Sequence, residues 1–173
     1  MLKIKHAETI DRILFDRLYS EAFEKISSER KRVGDQNLAD AMFNELSDHK
    51  IIVYYIDNYA VGIASYNDLI FNDKKYMFHR YPTYGKDING SRSWWYSEEF
   101  QQKNSEYVRA AGYAGVITLF NPGSPAGEAV RTHFGSFNAY YNSPAEYEIK
   151  EVFGNKLGDN TLPGGKCFVI DLI

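Results

Sequence analysis

Between Thr83 and Trp95 the sequence reads TYGKDINGSRSWW, which crowds Gly85, Lys86, Gly90 and Arg92 into a short run. Glycines let backbone approach a ligand closely, and N–H groups exposed ahead of a helix can hold an anion. Such a stretch could therefore cradle a phosphate. Backbone from Gly90 through Ser91 and Arg92 to Ser93 would form the cradle, with Lys86 and Arg92 as charged donors. The competing reading is a plain strand-to-helix connection, with glycines serving turn geometry and basic side chains in water. Just upstream, His79 precedes Arg80. A neighbouring guanidinium tends to keep an imidazole neutral, the form that accepts a proton, so His79 is the candidate general base. The alternative is an ordinary strand histidine with its polar atoms satisfied.

Three consecutive aromatics, Trp94, Trp95 and Tyr96, close the stretch. Successive residues of a helix point in different directions, so a core position explains at most one or two of the three, and at least one should be exposed or line a cleft. The whole chain is aromatic-rich: 14 Tyr, 11 Phe and 2 Trp make up 16% of its residues. Tyrosine joins an apolar body to a polar tip, which suits pockets and contact surfaces.

Bulk composition narrows the field. At 173 residues, 44% hydrophobic and 25% charged, the expectation is one globular domain, 1–173, with a single core. A net charge of -3 argues against a reader of nucleic acid built on Arg80, Lys86 and Arg92. The single cysteine, Cys167, sits in the apolar run CFVIDLI and reads as a structural thiol. The four histidines are too scattered for a metal motif, and no metal is expected. The start, MLKIKHAETI, lacks the apolar core of a signal peptide, and no stretch has the length of a membrane span. The expectation is a cytoplasmic protein with no membrane partner.

The elements that must position these residues follow from periodicity. LKIKH predicts a strand over Leu2 to His6, and Thr9 a cap for a helix carrying Ile10, Ile13, Leu14, Leu18 and Ala22 to about Lys25. Leu38, Ala41, Met42 and Leu46 predict a second helix, to about Ser47. KIIVYYI and AVGIASY flank Asp57 and Asn58, a hairpin signal, and Gly62 marks a bulge or a close backbone approach. A further strand runs from about Tyr76 to Tyr81 and stops at Pro82. A long helix then spans about Ser93 to Ala111, with Phe100, Asn104, Tyr107 and Val108 on one stripe and Gly112 ending it. GVITLF is an apolar central strand, Ala126 to about Phe134 a fourth helix, and AEYEIKEVF and KCFVIDLI two last strands. The fold class is α/β (α+β): a mixed sheet of about six or seven strands with helices on both faces. The strands around the long helix should be parallel.

This order resembles the GNAT superfamily of acyl-CoA-dependent N-acyltransferases. The likeness is carried by VYYIDNYAVGIASY (Val53 to Tyr66), YVRAAGYAGVITLFN (Tyr107 to Asn121) and AVRTHFGSF (Ala129 to Phe137). The family's phosphate loop has Arg or Gln, two residues, Gly, one residue, then Gly or Ala. Aligned on Gly90, this chain puts Asp87 and Arg92 at the outer positions. The resemblance implies acetyl-CoA as co-substrate, its diphosphate at Lys86, Gly90, Ser91, Arg92 and Ser93. Its pantetheine arm would lie on the fourth strand at Phe78 and Arg80, with Asn121 closing the next strand. It implies transfer of the acyl group to an unidentified amine, with His133 on the fourth helix, or Tyr140 or Tyr141 from the following loop, as the acid. The alternative is a non-catalytic domain of the same fold whose aromatic-rich cleft holds a small molecule, peptide or protein, and Asp87 with Arg92 favours it. The aromatic content also allows a homodimer.

Overall fold

The computed structural model describes residues 1–22, 35–71, 73–120 and 166–171. The expected connection through Gly34, the helix over Ala126 to Phe134, the strand AEYEIKEVF and residues Asn121, His133, Tyr140 and Tyr141 lie outside the described residues.

The chain opens with β1 (Leu2–Ala7), then α1 (Arg12–Ala22) and α2 (Asp35–Ser47). The cap of α1 is Asp11, two residues beyond the expected Thr9. Its carboxylate accepts the N–H of Ile13 at 2.6 Å and of Leu14 at 3.4 Å. That start turns Phe15, Leu18 and Tyr19 inward, while Ile13, expected on the apolar stripe, is 81% exposed. In α2 the buried set is Ala39, Met42 and Leu46, and Ala41 is exposed. Arg12 joins the two helices, reaching Asp16 at 2.8 Å and Asp40 at 2.6 Å.

Strands β2 (Lys50–Ile56) and β3 (Tyr59–Phe71) form the expected hairpin. Its turn holds Asp57 at φ 48° and Asn58 at φ 68°, both positive as a tight primed turn requires. The ladder shifts register between Tyr54 and Tyr55, opposite Gly62. Ile51, Val53 and Ile63 pack with Phe15, Leu18, Tyr19, Ala39, Met42 and Leu46 into one apolar core.

Strand β4 runs from Lys74 to Tyr84, three residues past the expected stop at Tyr81. Pro82 does not end it, because it falls beyond the last β4–β5 pair, where a missing N–H interrupts no β5 ladder. Ser93–Tyr96 is a 3₁₀ turn, and α3 (Glu98–Ala110) begins only after it. The expected start at Ser93 is thus five residues early, because Ser97 takes the cap: its hydroxyl accepts the N–H of Phe100 at 3.2 Å. The other end meets expectation. Gly112, at φ 88°, donates to the Arg109 carbonyl and Tyr113 to that of Val108, a Schellman closure.

With β5 (Gly115–Phe120) and β6 (Lys166–Asp171), the described residues form a six-stranded mixed sheet in the order β1-β2-β3-β4-β5-β6. The β4–β5 step is parallel, as a crossover through α3 demands; β1–β2, β2–β3 and β5–β6 are antiparallel. The parallel register covers three pairs, Tyr76↔Gly115 to Phe78↔Ile117, while β4 continues to Tyr84 and β5 to Phe120. The chain divides into two compact units, Met1–Asn67 with Arg80–Trp95, and Asp68–His79 with Tyr96–Ile173. The three divisions fall within β3, within β4 and within the 3₁₀ turn rather than in a linker.

Candidate functional site

In the first unit β4 leads into a loop fixed at its base by three elements. The Gly85 N–H donates to the Val61 carbonyl at 2.8 Å, and the Trp94 indole N–H to the Gly85 carbonyl at 2.9 Å. The Lys86 N–H donates to the Glu21 carboxylate of α1 at 2.8 Å. Arg17 stands beside Glu21 at 3.3 Å and donates to the Tyr59 hydroxyl at 2.8 Å and the Ala60 carbonyl at 2.6 Å. Glycine at position 85 gives these groups room: a Cβ there would lie 2.3 Å from the Glu21 carboxylate and 2.7 Å from a Leu18 methyl, so both side-chain ends would have to shift. Glu21 and Arg17 escaped the sequence reading, since nothing in their helical spacing says which loop they meet.

Trp94 and Trp95 are both core residues, at 6% and 5% exposure. The reason is local geometry. The segment is a 3₁₀ turn wrapped on Tyr84, with Trp95 stacked at 5.2 Å and Trp94 edge-on at 5.5 Å. Tyr54 completes the cluster, 5.9 Å from Trp94 and 5.8 Å from Tyr84. Gly62 makes room for it: a Cβ would come within 2.8 Å of the Trp94 ring. The sequence signal of a close backbone approach at Gly62 thus has a named partner. Burial pushes the Tyr84 phenol well above its usual range.

The crown of the loop, Asp87 to Ser93, is closed on itself. One Asp87 carboxylate oxygen accepts the N–H groups of Asn89 and Ser91, each at 2.9 Å. The Gly90 N–H goes to the Asp87 carbonyl at 2.9 Å, and the Asp87 N–H to the Ser91 carbonyl at 2.8 Å. The Ser93 N–H goes to the Ser91 hydroxyl at 3.1 Å. Gly90 has φ 78°, so the turn conformation itself calls for glycine. Arg92 donates from Nε to the Tyr84 carbonyl at 3.1 Å. The amides of residues 89, 90, 91 and 93 therefore point at groups of this same loop, and they do not fit a nucleotide diphosphate. The signal was present in Asp-Ile-Asn-Gly, an Asx-turn pattern.

Along β4, Arg80 reaches Glu45 of α2 at 3.3 Å with its side chain 11% exposed, and its carbonyl accepts the Ser65 hydroxyl at 3.1 Å. The His49 ring also contacts Glu45, through its carbonyl at 2.6 Å. In the second unit His79 is buried, its Nε2 3.1 Å from the Met77 sulfur. Burial lowers its pKa to about 4, so the ring is neutral near pH 7. Neutrality was expected from the Arg80 guanidinium; burial is the cause instead. Phe78 is buried as well, at the last β4–β5 pair. The structure thus gathers Lys86, Gly90, Ser91, Arg92 and Ser93 into one loop of the first unit. His79 and Phe78 stand in the second. Among the described residues no cluster of His, Cys, Asp and Glu has the form of a metal site, and no helix is long and apolar enough to cross a membrane.

Several solved acetyltransferase structures share this fold. An N-acetyltransferase from Staphylococcus aureus Mu50 matches 99% of this chain and 98% of its own, at 13% identity and a TM-score of 0.52. An acetyltransferase from Streptococcus agalactiae 2603 matches over 99% and 98%, at 10% identity and a TM-score of 0.54. A GNAT-family acetyltransferase from Bacillus cereus ATCC 10987 matches over 100% and 99%, at 13% identity and a TM-score of 0.51. By sequence, no family model and no curated protein matches. The chain has the GNAT fold.

Proposed function

We propose that this chain is an N-acyltransferase that passes an acyl group, acetyl in the simplest case, from a thioester such as acetyl-CoA to an amine. The observation that carries the reading is the GNAT fold over essentially the whole chain, shared with acetyltransferases. A second feature agrees: the β4–β5 register stops at Phe78, and β4 runs on to Tyr84. In this reading the pantetheine arm lies along β4 at Phe78 and Arg80. The amine nitrogen attacks the thioester carbonyl; the C–N bond forms, the C–S bond breaks, and the proton shed by the amine ends on the departing thiolate. His79 is neutral and so able to take that proton, though its low pKa makes it a weak base. His133 and Tyr140 keep their proposed role as the acid, and Asn121 its place beside the cofactor.

Calorimetric titration with acetyl-CoA and desulfo-CoA tests the reading. Saturable binding of both, with thiol release once an amine is added, is the expected result. The absence of any heat at millimolar ligand sinks it. A second reading is favoured by one observation, the Asp87 carboxylate seated on the loop amides. It is a non-catalytic domain of this fold that holds a small molecule, peptide or protein, and a silent titration would support it.

A further inference from the structure

In two places among the described residues, the loop from Asp87 to Ser93 and the start of α3, backbone amides are met by the chain's own groups. In the first unit, Asp87 holds the Asn89 and Ser91 amides with its carboxylate and the Gly90 amide with its carbonyl. A diphosphate oxygen would have to displace a carboxylate of the same sign from the same N–H groups, losing charge-assisted hydrogen bonds already made. In the second unit, the α3 N-terminus is capped by Ser97, and Glu98 and Glu99 occupy its first turn. Two carboxylates there already answer the positive end of the helix dipole and repel a further anion. Lys86 and Arg92 do not restore an open cradle: the Lys86 amide is held by Glu21, and the Arg92 Nε by the Tyr84 carbonyl.

We infer that the donor is recognised by its acyl-pantetheine end alone, and that the nucleotide diphosphate of an acyl-CoA adds nothing to its binding. This inference rests on the thioester-transfer reading above. The substrate class is then any acyl-pantetheine thioester, whether it ends as a small molecule, in a nucleotide or on a carrier.

Full-length protein titrated with acetyl-CoA, acetyl-pantetheine and ADP decides it. The expected result is acetyl-CoA and acetyl-pantetheine dissociation constants within about threefold of each other, and no competition by ADP. Acetyl-pantetheine weaker by about fiftyfold or more, or ADP displacing acetyl-CoA, overturns the inference while leaving acyl transfer standing. If neither thioester binds, the transfer reading itself falls, and the inference with it. Asp87→Ala should empty the amides and tighten acetyl-CoA about tenfold relative to acetyl-pantetheine. Asp87→Asn, which keeps an acceptor oxygen and removes only the charge, should shift the ratio the same way by less and guards against a collapsed loop. An unchanged ratio in both variants overturns the assignment to Asp87.

Discussion

The base and the crown of the loop after β4 are built by opposite means. The base, Gly85 and Lys86, is held by residues far away in sequence: Val61, Glu21 and the Trp94 indole. The crown, Asp87 to Ser93, is held by hydrogen bonds from backbone amides spanning two to four residues, with the Arg92 side chain reaching back eight residues to the Tyr84 carbonyl. Its tip is open, with Ile88 75% exposed. The base is therefore stabilised by packing and tertiary hydrogen bonds, and the crown by turn chemistry that any short stretch of this composition could adopt. Changes at the base should cost global stability; changes at the crown should be felt only locally.

The largest effect is expected at Trp94. Replacing it with alanine removes a ring buried on Tyr54 and Tyr84 and the indole bond to Gly85, a loss of about 4 kcal/mol by chemical denaturation. A loss below about 1 kcal/mol would break the contrast, since it would mean that the base is no better packed than the crown.

A buried group in the second unit gives an independent measure of what packing costs. His79 has its pKa lowered from 6.5 to about 4, so the unfolded chain binds the proton first as pH falls. Its burial therefore costs nothing above about pH 6.5 and weakens the fold progressively toward pH 4, by about 3 kcal/mol in all. Urea midpoints measured across that range should fall with pH, and His79→Gln should flatten that part of the profile. Equal slopes in both proteins would place His79 in contact with water.

A smaller loss follows at Glu21. Alanine leaves the Lys86 amide and Arg17 without their carboxylate, for about 1.5 kcal/mol, and Glu21→Gln should recover part of it by restoring an acceptor. Hydrogen exchange at the Lys86 amide should speed up in the alanine variant while that at Ser91 stays put. Parallel loss at both amides would merge base and crown into one unit. Least of all, Ile88→Ser should move stability by no more than about 0.5 kcal/mol, because the side chain is already in water.

Much of the fold was legible. The hairpin could be read from Asp57-Asn58, the helix end from Gly112 and the parallel step from a strand-helix-strand order, because each depends on local conformation or on the handedness of a crossover. Element starts were not: Asp11 in place of Thr9, and Ser97 in place of Ser93, were chosen among nearby capping residues by the packing of the helices they begin. The stretch from Gly85 to Arg92 does form a loop after β4. Whether its amides face outward could not be read there, although the Asx-turn pattern was visible, because one carboxylate can either cap its own loop or turn away.

By itself, the sequence determined what short-range rules determine: period, turn chemistry, the placing of glycine at positive φ, and from these the order of the elements. Tertiary structure alone decided that Trp94 and Trp95 are buried on Tyr84, that Glu21 holds the start of the loop, and that burial rather than Arg80 keeps His79 neutral. Those outcomes depend on which distant surfaces meet. The free energy of burying a ring, or of desolvating an imidazole, belongs to the assembled surroundings and not to the residue.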